Sequence, residues 1–209
     1  MKLYDCVSAP SPKRVRMILA EKGLDIPVEQ VDLRSGAQFS EAYKAINPRC
    51  TVPALEMEDG SVLCDSRSIV RFLEEVYPNP PMLGETPREK ALVEEWRTRI
   101  EQEGFMAVAE AFRNTAKGFK DSAITGPQRY AQIPELAARG ADRVRVFWDV
   151  LDARLSDTAF LAGENFTAAD VDAYIVVEFA SRLQLGPSEV LEHLAAWREV
   201  VAARPSANA

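Results

Sequence analysis

Asp65 and Ser66 bring together a carboxylate, a hydroxyl and a predicted helix start, groups that could bind an amino-acid head group. Apolar residues follow at helical spacing between Ile69 and Val76, so the pair predicts the N-cap of an amphipathic helix. Free N–H groups in a first helical turn attract a small carboxylate, and the Asp65 carboxylate could meet an amine. An ordinary capped helix is the alternative that these residues leave open.

The backbone around Val52 and Pro53 is a second candidate group. Pro53 has no N–H, so it cannot pair fully within a central strand. If the Val52–Pro53 bond is cis, a tight turn would leave the N–H and C=O of Val52 free for an extended ligand. Residues 54–57 and 61–64 read as two strands joined by the turn Asp59-Gly60, which predicts a hairpin between the two candidate groups.

A strand, a helix, a second strand and a short helix precede the hairpin, and together with the hairpin and the helix after it they predict a βαβαββα unit with a parallel first pair of strands. Ser11 is expected to cap the first helix, with Pro12 in its first turn. The other predicted elements are a first strand at 2–4, a second strand at 28–33 and a short helix at 39–46.

Residues 78–81 contain three prolines and break the helix that follows Asp65 and Ser66. After them the spacing of the apolar residues predicts helices and no strands. One helix is expected from Thr86 to about Thr115, a second over 134–155, and two more after Thr167 and Gly186. Residues 118–134 read as a long polar loop. The predicted domains are an α/β domain at 1–79, a linker at 80–87 and an all-helical domain at 88–209.

Composition excludes several partners. The net charge of −7 argues against nucleic acid and anionic membranes as partners. Three cysteines without a CxxC pair fit a reducing cytoplasm. A single histidine, His193, excludes a histidine-based metal cluster, so no metal is expected.

The segment from Asn47 to Ile69 resembles the glutathione-binding segment of the cytosolic glutathione transferase family. The matching positions are Asn47-Pro48, Val52-Pro53-Ala54-Leu55, Asp59-Gly60, Leu63, Asp65-Ser66 and Ile69. The family more often has Glu where this chain has Asp65. Phe166-Thr167-Ala168-Ala169-Asp170 and Arg204-Pro205-Ser206 are similar to the family's second half.

This resemblance implies a thioredoxin-like domain followed by a helical one, glutathione as co-substrate and a cytoplasmic homodimer. Val52 and Pro53 would hold the peptide backbone of glutathione, and Asp65 and Ser66 its γ-glutamyl head. Gln38 stands where the family often has His or Gln near the glycyl carboxylate. Arg49 could replace the basic or polar residue that the family often has at Cys50.

The thiol-activating group is expected in the first strand–helix loop, because most classes of the family aim a Tyr, Ser or Cys at the sulfur from there. Ala9 stands where Ser- and Cys-type classes have that residue. In one hypothesis Ser11 or Ser8 donates a hydrogen bond to the thiolate of glutathione. In the second, backbone N–H groups at the helix start and an ordered water stabilise the thiolate, as the resemblance to an atypical fungal and bacterial subgroup with Gly or Ala at this position implies. In this chain the water's partners could be Arg113 or Asn114.

We favour this second hypothesis over Ser11. A third hypothesis, ranked last, makes Cys6 or Cys50 a nucleophile for disulfide exchange.

The predicted function is therefore conjugation of the glutathione thiolate to a small hydrophobic electrophile. The alternatives are a glutathione-dependent lyase, dehalogenase or disulfide reductase with the same fold, and a ligand-binding protein without turnover. Fold alone does not decide among these.

Overall fold

Four short strands form one mixed sheet in the computed structural model, which describes residues 1–209. They are β1 (Lys2–Asp5), β2 (Val28–Gln30), β3 (Ala54–Glu56) and β4 (Val62–Leu63). The strand order is β2-β1-β3-β4, with β1 parallel to β2 and β3 antiparallel to both of its neighbours.

Three helices complete this part of the chain: α1 (Pro10–Glu21), α2 (Glu41–Ile46) and α3 (Ser66–Val76). The order βαβαββα confirms the predicted thioredoxin-like arrangement. The second strand is shorter than the predicted 28–33, because pairing with β1 ends at Gln30.

The start of α1 corrects one prediction. Its N-cap is Ala9 and its first residue is Pro10, so Ser11 lies inside the first turn and does not cap the helix. Proline is favoured at the first helical position, because its fixed φ suits the helix and its missing N–H needs no partner there. Pro12 would meet the same preference after a cap at Ser11, so the prolines alone did not distinguish the two helix starts.

The core of this first unit forms where α1 and α3 pack on the sheet. Leu3, Leu55, Ile18 and Leu73 are all fully buried there. Lys22, just after α1, has a fully buried side chain whose ammonium donates to the carbonyls of Tyr77 and Pro80 and pairs with Glu74 at 2.7 Å. This lysine fixes the chain at the end of α3.

The rest of the chain is helical, as predicted. Its helices are α4 (Pro87–Arg99), α5 (Met106–Arg113), α6 (Pro134–Leu155), α7 (Ala168–Ser181) and α8 (Glu192–Ala202). The helix expected from Thr86 to about Thr115 is interrupted by a π-helical turn at Ile100–Phe105. In that turn Gly104 faces the Phe147 ring so closely that a Cβ would lie 2.4 Å from it.

Buried polar groups organise the second unit. Arg97 donates to Asp172 at 2.8 Å, and both side chains are almost fully buried. Thr167 and Asp170 form the capping box at the start of α7 that the sequence predicted. Gly140 lets α6 approach α5, since a Cβ there would lie 2.6 Å from the carbonyl oxygen of Ala107.

The chain divides into two compact units. The first contains residues 1–80, 125–128 and 209, and the second contains residues 81–124 and 129–208. None of the helices has the length and apolar character needed to cross a membrane.

Candidate functional site

A cavity of about 430 Å³ opens in the first unit, within the size range of small-molecule sites. Six of the residues predicted to bind or activate a ligand line it: Ser11, Arg49, Val52, Pro53, Asp65 and Ser66. The other lining residues are Pro48, Thr51, Cys64 and the segment Thr125-Gly126-Pro127-Gln128. Ser8, Ala9, Gln38, Arg113 and Asn114 are not among them.

A turn organised by Asn47 leads into the cavity wall. Asn47 is fully buried, and its amide donates to the backbone carbonyl of Thr51 at 2.7 Å and accepts from the N–H of Arg49 at 2.9 Å. The Tyr43 hydroxyl donates to the same Thr51 carbonyl at 2.7 Å. Burial raises the pKa of the Tyr43 phenol, so its hydroxyl stays protonated as a donor.

This turn presents the backbone of Val52. The Val52–Pro53 peptide bond is cis, which is the condition that the sequence interpretation required. Neither the N–H nor the C=O of Val52 makes a hydrogen bond with the rest of the chain. Both groups are therefore available to an extended peptide ligand lying along this wall.

The start of α3 lies on the same cavity. Asp65 is the N-cap, as predicted, and one carboxylate oxygen, Oδ1, accepts from the N–H groups of Arg67 at 2.8 Å and Ser68 at 3.2 Å. Its second oxygen has no partner within the chain. Ser66 is the first helical residue, and neither its N–H nor its hydroxyl is hydrogen-bonded.

The charges at this cavity come from Asp65 and Arg49. The Arg49 side chain is exposed and makes no ion pair, so its guanidinium is free to meet an anion. Gln38 lies outside the lining, in a short 3₁₀ turn, and its amide oxygen is buried without a hydrogen-bond partner. Burial raises the pKa of the Cys64 thiol, which keeps that group protonated at neutral pH.

Among the first three residues of α1, only Ser11 has hydrogen-bond donors. Pro10 and Pro12 occupy two of the first three helical positions and have no N–H. The N–H of Ser11 has no backbone acceptor, and its hydroxyl caps nothing. Ser11 thus brings one N–H, one O–H and the positive end of the helix dipole to the cavity.

A buried carboxylate holds the loop in front of α1. Asp5, at the end of β1, accepts from Arg16 at 2.5 Å and from Gln30 at 2.6 Å. Gln30 accepts in turn from the N–H of Val7 at 3.0 Å, and Arg16 donates to the Val7 carbonyl. This clamp was not predicted, because its only signal in the sequence was a charged residue at the end of the first strand.

Three other candidates, Ser8, Cys6 and Cys50, do not line the cavity. The Ser8 hydroxyl contacts the Cys6 sulfur at 3.5 Å and lies outside the cavity lining. Cys6 and Cys50 are both buried, with 7% and 3% of their surface exposed. A nucleophile for disulfide exchange needs an accessible thiolate, so this geometry does not favour that hypothesis.

Arg113 and Asn114 have other hydrogen-bond partners. The Arg113 guanidinium donates to the carbonyls of Ser122 at 2.7 Å and Ala123 at 3.1 Å. Asn114 donates to the Glu110 carbonyl and accepts from the N–H of Ile133. Both side chains are therefore engaged in holding the loop that joins α5 to α6.

That loop supplies four cavity residues that sequence reasoning did not identify, Thr125 to Gln128. The dipeptide Gly126-Pro127 indicated a turn. Nothing in the local pattern could show which distant segment the turn would lie beside, since Arg49 and Gly126 are far apart in the chain.

Known proteins with similar sequences cover nearly the whole chain. Residues 9–76 match the family model of the glutathione S-transferase N-terminal domain, and residues 108–205 match that of the C-terminal domain. Glutathione S-transferase 2 of Saccharomyces cerevisiae is 29% identical over 99% of this chain and 87% of its own length. Glutathione S-transferase 3 of Zea mays is 30% identical over 99% of this chain and 90% of its own length.

A solved structure agrees with these sequence matches. It is a glutathione S-transferase domain-containing protein from Marinobacter aquaeolei, superimposed with a TM-score of 0.91 at 33% identity and covering 99% of both chains.

Proposed function

The chain belongs to the glutathione S-transferase family, and we propose that it conjugates the thiolate of glutathione, held in the cavity of the first unit, to small hydrophobic electrophiles. The observation that carries this proposal is the set of unpaired polar groups on one cavity wall. They are the backbone of Val52, the second carboxylate oxygen of Asp65 and the free N–H of Ser66.

Each part of glutathione has a chemical counterpart among these groups. The ammonium of the γ-glutamyl head pairs with Asp65, and its carboxylate accepts from Ser66 at the positive end of α3. The N–H and C=O of Val52 pair with the central peptide unit, as one strand pairs with another. Arg49 attracts the glycyl carboxylate through its exposed guanidinium, whereas Gln38 lies outside the cavity lining.

Thiol activation at the start of α1 is the chemical core of the proposal. A glutathione thiol resembles free cysteine, with a pKa of about 8.5, and only the thiolate is a strong nucleophile. Donors that bind the charged form lower that pKa. Ser11 supplies an N–H and an O–H, whereas the flanking prolines supply none.

The free donors of Ser11 change the order of the hypotheses. In the backbone-and-water hypothesis the water's partners could come from Arg113 or Asn114, and both side chains already serve the α5–α6 loop. Ala9 contributes no side-chain donor at all. We therefore assign the sulfur contact to Ser11 through its N–H and hydroxyl, with Ala9 and Ser8 as parts of the supporting loop.

The reaction then follows a simple course. The thiol proton leaves to solvent, and the thiolate attacks the electrophilic carbon to form a C–S bond. For a substitution the leaving group departs with the electrons of its former bond, and for a conjugate addition the carbon chain takes up a proton. Neither course requires a metal or a redox step.

The direct test has two arms. The protein is passed over immobilised glutathione, and its turnover of an activated aryl halide with glutathione is measured. Retention together with turnover supports the proposal. Retention without turnover on any electrophile tried would indicate a ligand-binding protein, and loss of retention would contradict the glutathione site itself.

Location and assembly follow from the family resemblance. We propose a cytoplasmic homodimer, as is typical of the family. Light scattering during size-exclusion chromatography checks the assembly, and a mass equal to one chain of 23.2 kDa would contradict it.

A further inference from the structure

The tip of the α5–α6 loop, Thr125-Gly126-Pro127-Gln128, forms part of the cavity wall and has no role in the proposed function so far. These four residues cluster with the first unit, although the chain on both sides of them belongs to the second. Gly126 has a φ of +124°, which favours glycine, and a Cβ built there would lie 3.8 Å from the carbonyl oxygen of Arg49. The tip therefore lies beside the turn that leads to Val52.

Arg113 is one of the hydrogen-bonding anchors of this loop. Its Nη2 and Nε donate to the consecutive carbonyls of Ser122 and Ala123, and one residue separates Ala123 from the tip. Its guanidinium also lies over the ring of Phe119, 4.4 Å from the ring centroid. A planar fork with several fixed donors suits this double contact, which a lysine could satisfy only in part.

Further bonds close the base of the loop. The N–H of Ala123 donates to the Tyr130 carbonyl at 3.0 Å, and the backbone N–H of Tyr130 donates to the Asp121 carbonyl at 3.1 Å. The Gln132 amide donates to the carbonyls of Arg113 and Ala116, and the N–H of Ile133 donates to Asn114. The tip is thus carried by a loop whose two arms are tied together.

We propose that Arg113 is a positioning residue for glutathione, holding Thr125 to Gln128 as one wall of the tripeptide cavity. This inference rests on the proposed function, because it takes glutathione as the occupant of that cavity. In this role Arg113 affects the affinity for the whole tripeptide, and its effect does not depend on the thiol. A residue that held a water at the sulfur would instead act only when a thiol is present.

The test compares glutathione with S-methylglutathione, which has no ionisable thiol. Isothermal titration calorimetry is carried out on the full-length protein and on Arg113→Ala, Arg113→Lys and Arg139→Ala. Arg139 is the matched control, an exposed arginine of the same unit that pairs with Glu110. We expect Arg113→Ala to bind both ligands about tenfold or more weakly, Arg113→Lys to bind with intermediate affinity and Arg139→Ala to match the parent protein.

A double variant, Thr125→Ala with Gln128→Ala, tests the wall directly. Both side chains are exposed, so this variant avoids the folding risk of removing a half-buried arginine. It is expected to weaken the binding of S-methylglutathione by about threefold to tenfold. Unaltered S-methylglutathione binding in this double variant would overturn the inference even if Arg113→Ala fails to fold.

Two further outcomes are decisive. If Arg113→Ala binds S-methylglutathione as tightly as the parent protein and loses only turnover, Arg113 acts at the sulfur and the positioning role is wrong. If the parent protein binds neither ligand, the proposed function itself fails, and this inference fails with it.

Discussion

Two helix starts in this protein each use an aspartate, as the N-cap at α3 and as the third residue of a capping box at α7, with opposite results. At α3, Asp65 is half-buried, gives one oxygen to the helix and leaves the other free on the cavity wall. At α7, Asp170 is fully buried and both of its oxygens are used. It accepts from the N–H groups of Leu161 and Thr167, the Thr167 hydroxyl and the Trp197 indole.

The two aspartates differ in whether their oxygens are available to a ligand or are used to stabilise the fold. A polar group with all of its partners inside the fold stabilises that fold and has nothing left for a ligand. A polar group left unpaired at a cavity wall is available for recognition, and the fold loses little if the group is removed. The predictions below test this division of roles.

The largest expected effect is on folding, in Asp170→Ala. Removing this carboxylate leaves the N–H groups of Leu161, Thr167 and Trp197 buried without an acceptor. We expect a loss of about 3–5 kcal/mol in the free energy of unfolding, measured by urea denaturation. Asp65→Ala is the matched control and should cost about 1 kcal/mol, the usual value of an N-cap. Equal losses in the two variants would contradict the comparison.

The next effect is on ligand binding, in Asp65→Asn. The asparagine keeps an oxygen for the helix cap but has no charge for the ammonium of glutathione. We expect affinity for glutathione to fall about 10-fold to 100-fold, because a charge pair loses one partner, with unfolding free energy little changed. Calorimetry measures the affinity, and Asp59→Asn, in the exposed hairpin turn, is the control. If Asp65→Asn binds glutathione as tightly as the parent protein, Asp65 acts only as a helix cap.

Stability should also depend on pH through Asp170. Burial raises the pKa of its carboxyl to about 6, although four hydrogen bonds to the carboxylate oppose this shift. Because the folded pKa lies above the unfolded one, this group's contribution is fully present below about pH 4 and is lost as the pH rises to about 6.

Subtracting the Asp170→Asn variant isolates this contribution from the other carboxylates. The difference in unfolding free energy, parent protein minus Asp170→Asn, should fall by about 2–3 kcal/mol between pH 4 and pH 6 and then stay level. Urea denaturation across this range measures it. A difference that rises with pH would show that the hydrogen bonds dominate over burial.

Most of the fold could be predicted from the sequence, because its signals are local. The hairpin turn at Asp59-Gly60, the cap at Asp65 and the capping box at Thr167 and Asp170 each depend on neighbouring residues, and the structure contains all of them. The cap of α1 was wrong because two prolines and two serines offered several possible helix starts. Only the structure shows that Pro10 takes the first position.

The site was less predictable, because it depends on contacts between distant segments. Val52, Asp65 and Ser66 could be found since a family motif contains them. The tip at Thr125 to Gln128 and the two carbonyls held by Arg113 could not, because loop sequence carries little information about what a loop packs against. The polar side chains of Arg113 and Asn114 suggested solvent or ligand, and the structure shows internal partners for both.

The most direct test of the account is the ionisation of glutathione in the cavity. The ultraviolet absorbance of the thiolate is followed against pH for glutathione bound to the parent protein and to Ser11→Ala. Donors at the start of α1 should hold the bound thiol's pKa at least about one unit below the free value of about 8.5. In Ser11→Ala, which keeps the N–H but loses the hydroxyl, the pKa should move part of the way back. A bound thiol that titrates like free glutathione in the parent protein would contradict the central claim.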